Sequence, residues 1–163
     1  MAYLLDSDVF IQAKNRHYGF DIVPGFWDWL LSANGNGEVY SIERVGQELR
    51  DGGDELADWA AQRDAGFFLP PDEAVVTSLA ATSEWAQGCG LYETAAIATF
   101  LQAADYYLVA HAHAHSHIVV THEVPAATRF KIKIPNACDG MSVKWTTPFE
   151  MLRNAGARFV VGA

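Results

Sequence analysis

Cysteine is nearly absent: Cys89 in "QGCGLY" and Cys138 in "NACDGM" are the only two in 163 residues, and neither stands at a metal-ligand spacing. That scarcity excludes a disulfide scaffold and predicts two free thiols in a reducing compartment. Basic residues are also few. Eleven Lys and Arg face twenty Asp and Glu, a formal charge of −9, which excludes a broad cationic field as the means of gripping nucleic acid. An acidic protein can still act on nucleic acid where its carboxylates gather around divalent cations, because the ions reverse the charge that a phosphate meets. Long apolar runs are missing as well. No stretch reaches the roughly 18 uninterrupted apolar residues of a membrane span, and "MAYLLDSDVFIQAK" meets Asp6 before an apolar leader segment develops. The expectation is a cytoplasmic protein with no membrane association.

What is present reads as a globular chain: 50% hydrophobic, 19% charged and 12% aromatic. No repeat is visible, so one domain over residues 1–163 is expected. "AYLLD" is a short apolar run suited to a buried parallel strand, and "VFIQAK" begins a helix. "PGFWDWLLSANGNG" starts with Pro, places Phe26, Trp27, Leu30 and Leu31 at helical spacing and ends in Gly and Asn. "EVYSI" is a strand, with Ser41 as N-cap of a helix "IERVGQEL". Asp54 caps a helix that Gly66 closes, "FFLPP" is a short strand, and a helix runs from Asp72 to about residue 87. Residues 92–116 read as helix broken near Gln102, followed by the β-branched strand "IVVT". The remainder predicts a short helix or turn after "KIK", a strand at 143–145, a Pro-started helix and a last strand in "ARFVV". Short strands alternating with helices imply an α/β fold, three layers with a central, mainly parallel sheet between helices. In such sheets ligands bind outside the carboxyl ends of the strands, where strand order reverses.

Carboxylates fall at that edge. Asp6 closes the first strand with Asp8 two residues on, Asp105 opens the helix leading into "IVVT", and Glu123 follows that strand. On a helix wheel Leu108, Val109, Ala112 and Ser116 lie within roughly 60° of Asp105, so Asp105 heads the sheet-facing stripe. In "SIERVGQEL", Glu48 lies roughly 90° from the face made by Ile42, Val45 and Leu49, and Glu43 about 130° from it. Glu48 is therefore the carboxylate nearer the core. Alone, Asp105 reads as a helix-start charge and Glu48 as a solvated residue. Together, several carboxylates in one pocket repel unless neutralised. Mg²⁺ or Mn²⁺ suits such oxygen donors and accepts phosphate oxygens as further ligands, which points to phosphodiester hydrolysis.

At these residues the chain resembles the PIN-domain ribonucleases, the group that includes VapC-type toxins. "LLDSDVFI" is similar to their opening strand and turn, "SIERVGQEL" to their helix ending in Glu-Leu, and "AADYYLVAHAHAHSHIVVTHE" to the segment in which an Asp opens a helix and a strand ends in Thr-x-Asp. "KIKIPNACDGMSVKWTTPFEML" is similar to the tail of an uncharacterised PIN-like branch, so the resemblance spans nearly the whole chain. It implies a PIN-like fold, an endoribonuclease that uses Mg²⁺ or Mn²⁺, an RNA substrate, an antitoxin partner and a homodimer. It also implies a catalytic and metal-binding set of Asp6, Glu48, Asp105 and Glu123, with Asp8 as a further metal ligand and Thr121 as a supporting catalytic residue. Two departures stand out: Thr121-His122-Glu123 replaces Thr-x-Asp, and Asp8 replaces the Asn of the opening turn. Lys14 and Lys131 are candidates to hold the RNA strand.

Two other readings share these residues. Asp6-x-Asp8 after a first strand fits a haloacid dehalogenase-type phosphatase, although the later motifs of that family match poorly. A PIN-like scaffold working only through protein contact is the other, with Trp27, Trp29, Trp59 and Trp85 as its surface or, more simply, as core. The alternating histidines 111, 113, 115 and 117 face two sides of a helix and cannot converge on one ion, so solvated flanks are expected of them.

Overall fold

The computed structural model describes residues 1–162. Five strands form one sheet in the order β3-β2-β1-β4-β5: β1 (Tyr3–Leu5), β2 (Val39–Ile42), β3 (Phe68–Leu69), β4 (Ile118–Val120) and β5 (Trp145–Thr146). Every pairing is parallel. Leu4, Leu5, Val119 and Val120 are fully buried, as expected of central strands covered on both faces. The chain grows from β1 to β2 and β3 on one side, then returns to β4 and β5 on the other. Strand order therefore reverses between β1 and β4, the place where ligands bind in such sheets, outside the strands' carboxyl ends.

Helices cover both faces, giving the expected three layers. They are α1 (Ser7–Gln12), α2 (Pro24–Gly35), α3 (Glu43–Arg50), α4 (Glu55–Ala61), α5 (Glu73–Gly88), α6 (Thr94–Gln102), α7 (Ala104–His115), α8 (Ile134–Gly140) and α9 (Pro148–Asn154). A π-helical turn, Ala13–His17, continues α1. The caps follow side-chain chemistry: the Asp54, Asp72 and Thr147 side chains accept from the Ala57, Val75 and Glu150 N–H groups. The tryptophans resolve toward core. Trp27 is buried, its Nε1 donates to the Tyr18 carbonyl at 2.7 Å, and Trp29, Trp59 and Trp85 pack against the core from partly buried positions.

Several sequence expectations are corrected. Ser41 does not cap α3: it lies in β2, fully buried, and its Oγ donates to the Leu5 carbonyl at 2.6 Å, so the hydroxyl is spent bracing β2 against β1. The α4 helix stops at Ala61, well before Gly66. Ala33 rather than Leu31 completes the buried face of α2. The strand expected at 143–145 forms at Trp145–Thr146, and "ARFVV" forms no strand; its side chains are largely exposed. His111 is not solvated but buried, and desolvation pushes its imidazole down to about 4, so it packs as a neutral ring. Its neighbours fasten the same helix. His113 Nδ1 lies 2.8 Å from Ser78 Oγ, His115 Nε2 lies 2.7 Å from Asp72 Oδ2, and His117 Nδ1 accepts the Ala2 N–H. The first two bonds clamp α7 to α5, the helix it packs against most.

Two glycines lie against aromatic rings at close approach, and at one of them, Gly46, a Cβ would press into the Phe68 ring. A Cβ on Gly140 would collide with the Trp85 indole, which joins α8 to α5. Gly140→Ala is expected to destabilise the fold by about 1–3 kcal/mol, as overpacking does, read as a lowered thermal midpoint. Melting unchanged from the parent would contradict this packing.

Candidate active site

Strand register aligns the carboxyl ends of β1 and β4. Leu5 pairs with Val120, and the Asp6 N–H donates to the Val120 carbonyl at 3.0 Å, so the residues that follow the two strands, Asp6 and Thr121, lie side by side. Thr121 Oγ1 donates to Asp6 Oδ2 at 3.2 Å and accepts the Glu123 N–H at 3.0 Å. One buried hydroxyl thus sets both an aspartate and the turn that carries a glutamate. Glu123 is held from the far side, where its Oε1 accepts the Ile134 N–H at 3.1 Å.

Asp105 is the second residue of α7. Its side chain makes no cap: the N-cap is Ala103, with no side-chain hydrogen bond. The helix packs along β4 and α3, with Leu108, Val109 and Ala112 buried beneath it, and this directs the Asp105 end toward the strand termini. Ser116, expected on that stripe, is instead the exposed left-handed residue that ends α7. Glu48 is exposed on α3. A brace missed in the sequence fixes its helix: the Arg44 guanidinium lies 4.0 Å from the Tyr107 ring centroid and donates to the Tyr107 hydroxyl at 2.9 Å, tying α3 to the first turn of α7.

Electrostatics show which of these groups share a site. Asp6, only 5% exposed, has its carboxyl pushed up to about 7, first by burial and then by the charges of Asp105 and Glu123, with Asp8 adding less and the Thr121 hydrogen bond opposing. Asp105 is pushed up to about 6 by burial and by Glu123 and Glu48, against a lowering by Lys131. The five carboxylates named from sequence therefore form one mutually repelling field, and Glu48 rather than Glu43 belongs to it. Asp8 lies at its edge, with its Oδ1 accepting from Gln12 Nε2 at 3.4 Å. Lys131 lies near Asp105, whereas Lys14 is engaged elsewhere, pairing with Asp54 at 3.1 Å. His122 turns away from Glu123 and packs with His17 and Phe149.

The donor set is all oxygen, which suits Mg²⁺ or Mn²⁺. Among the described residues no three carboxylate, imidazole or thiolate groups close tightly enough to form a ready-made cage. Mg²⁺ commonly keeps part of its water shell and bonds directly to only one or two carboxylates.

The raised values have a thermodynamic consequence. An unfolded Asp titrates near 3.8, whereas Asp6 and Asp105 titrate at about 7 and about 6. Their contribution to stability is therefore full below the unfolded value and is lost as pH rises through the folded ones. Asp6→Asn mimics the protonated form. In chelator, the thermal midpoint of that variant is expected to exceed the parent's by about 3 °C or more at pH 8, with the gap closing toward about pH 4. A gap independent of pH would refute the repelling field.

Comparisons with known proteins bear on the fold and family. Two solved structures share the architecture: the structure of FitAB bound to IR36 DNA fragment, at 24% identity over 90% of this chain and 95% of that one with a TM-score of 0.56, and the crystal structure of FitAcB from Neisseria gonorrhoeae, at 24% identity over 90% and 98% with a TM-score of 0.56. This likeness is one of fold, which is PIN-like. No curated protein matches the sequence. The family model described as "Domain of unknown function (DUF4411)" matches residues 3–159, and the chain belongs to that family.

Proposed function

We propose that the protein is a Mg²⁺- or Mn²⁺-dependent endoribonuclease and the toxin of a toxin–antitoxin pair. The observation that carries this reading is the meeting of Asp6 and Asp105, 99 residues apart in sequence, as a buried and a half-buried carboxyl at the sheet's reversal point, both raised by desolvation and by the charge of Glu123. A fold has little structural use for such a group, because each charge destabilises the others. A divalent cation relieves it.

In this reading Asp6, Asp105, Glu48 and Glu123, with Asp8 beside them, would hold the cation. A bound Mg²⁺ or Mn²⁺ supplies positive charge to the scissile phosphate and lowers the pKa of an attacking water. Thr121 is a positioning residue, since its hydroxyl is committed to Asp6 and to the Glu123 turn. Lys131 offers a cation to the substrate backbone beside Asp105.

A protein partner is part of the proposal. FitAB is seen bound to a DNA fragment, whereas this chain, at −9, has no cationic field for DNA. Any operator contact would come through a small basic antitoxin. Ile22, Val160 and Val161 are strongly exposed around one cleft beside α2, an apolar surface suited to such a partner or to a second copy in a homodimer. The same exposed apolar cleft supports a second reading, a PIN-like interaction module without catalysis.

RNA cleavage by the purified chain, with Mn²⁺ against chelator, separates the two. Cleavage is expected only with the cation. Asp6→Asn and Asp105→Asn should abolish it while folding normally, and Thr121→Val should lower it about ten- to a hundredfold, as loss of a group that orients a ligand does. Full activity in either folded Asn variant would sink the nuclease. Release of inorganic phosphate from monoesters, without RNA cleavage, would turn the reading to the phosphatase.

A further inference from the structure

In a chain with eleven basic residues, three of them, Arg129, Lys131 and Lys133, fall within five positions of "RFKIK". The segment has no helix or strand and is fastened at both ends. The Glu93 N–H donates to the Arg129 carbonyl at 3.0 Å, and the Ile134 N–H donates to Glu123 Oε1 at 3.1 Å. The second tie fixes the ridge to a carboxylate of the acidic site. Ile132 and Ile134 are buried, whereas Arg129 and Lys131 face solvent, Arg129 pairing with Glu93 at 3.3 Å. Phe130 breaks this alternation: it has the parity of the inward residues yet is 66% exposed, with the Arg129 guanidinium 5.0 Å from its ring centroid. Two hollows meet at this ring. One, about 210 Å³, is lined by Phe100, Ala103, Asp105, Phe130 and Lys131; the other, about 580 Å³, runs along Leu91, Tyr92 and Phe130.

We propose that this ridge is the strand-binding element of the site, and that the smaller hollow receives an unpaired nucleobase of a single-stranded polynucleotide, with Phe130 as its stacking wall. The inference rests on the nuclease reading above. A hollow with aromatic and small apolar walls accepts a flat base, while a cation at its mouth accepts the attached phosphate. Asp105 lines the same hollow, so a base seated there brings its own phosphodiester to the carboxylates. A paired base cannot enter, because it must leave its stack. An acidic peptide would satisfy the cations but leave the ring and hollow unused. Because at most three cations are involved, one of them already paired with Glu93, the logarithm of affinity should fall with the logarithm of salt at a slope no steeper than about −2, and Lys131→Gln should flatten it by about 0.7.

The test is fluorescence anisotropy of the intact chain in chelator, with a labelled oligoribonucleotide, its DNA counterpart and the same RNA annealed to its complement. Single strands are expected to bind more tightly than the duplex. Phe130→Ala should weaken single-strand binding about tenfold or more, Phe130→Trp should preserve it and Phe130→Leu should not, with thermal midpoints unchanged because the side chain is exposed. A preference between RNA and DNA identifies the sugar, and either supports the ridge. Equal binding of duplex, parent-like binding by Phe130→Ala, or displacement of the strand by polyglutamate at equal affinity would overturn it. Hydrolysis of a small phosphodiester with Mn²⁺, measured on the unaltered chain, tests the nuclease reading separately. Hydrolysis without Phe130-dependent binding defeats the ridge alone, and Phe130-dependent binding without hydrolysis defeats the nuclease alone.

Discussion

The parallel pairing of Leu5 with Val120 is the constraint on which the rest depends. It sets Asp6 and Thr121 side by side, and through the Thr121 hydroxyl it sets the Glu123 turn. Removing that hydroxyl would leave Asp6 buried without its one close donor from a neighbouring strand, and would free the glutamate to move. Everything else brings further charge to that point: α7 carries in Asp105, and the Arg44–Tyr107 brace holds α3, with Glu48, against it.

This arrangement opposes stability. Carboxyls raised to about 7 and about 6 are groups that the folded chain holds at a cost above those values, and no cation on the chain fully offsets them; Lys131 lowers Asp105 without cancelling the rise. The fold carries the cost through its core. The α7 helix is clamped to α5 by Ser78–His113 and Asp72–His115, and the aromatic cluster of Phe10, Trp59, Phe67 and Phe68 supports the β1–β2 side. Tension of this kind between local electrostatics and the global fold is characteristic of functional sites.

Much of this was legible in the sequence because its causes are local. Apolar triplets ended by a polar residue marked β1 and β4, Asp54 and Asp72 announced their helices, and the helical wheel placed Asp105 and favoured Glu48 over Glu43. What was missed depends on partners distant in the chain. Ser41 looks like a helix cap until Leu5 is beside it, and His111 looks solvated until α5 covers it. The terminal "ARFVV" has strand-like composition but pairs with no strand and stays largely exposed. The "RFKIK" ridge has no periodic signature to distinguish it from a loop, and its meaning comes only from lying beside Asp105 and Glu123.

The central claim is that a divalent cation completes the crowded carboxylates over β1 and β4. The most direct measurement is anomalous scattering from a crystal of the protein soaked in Mn²⁺. The account predicts a peak bonded to both Asp6 and Asp105, with Glu48 or Glu123 beside it. A crystal without density there, or with manganese seated only among the α7 histidines, would contradict it.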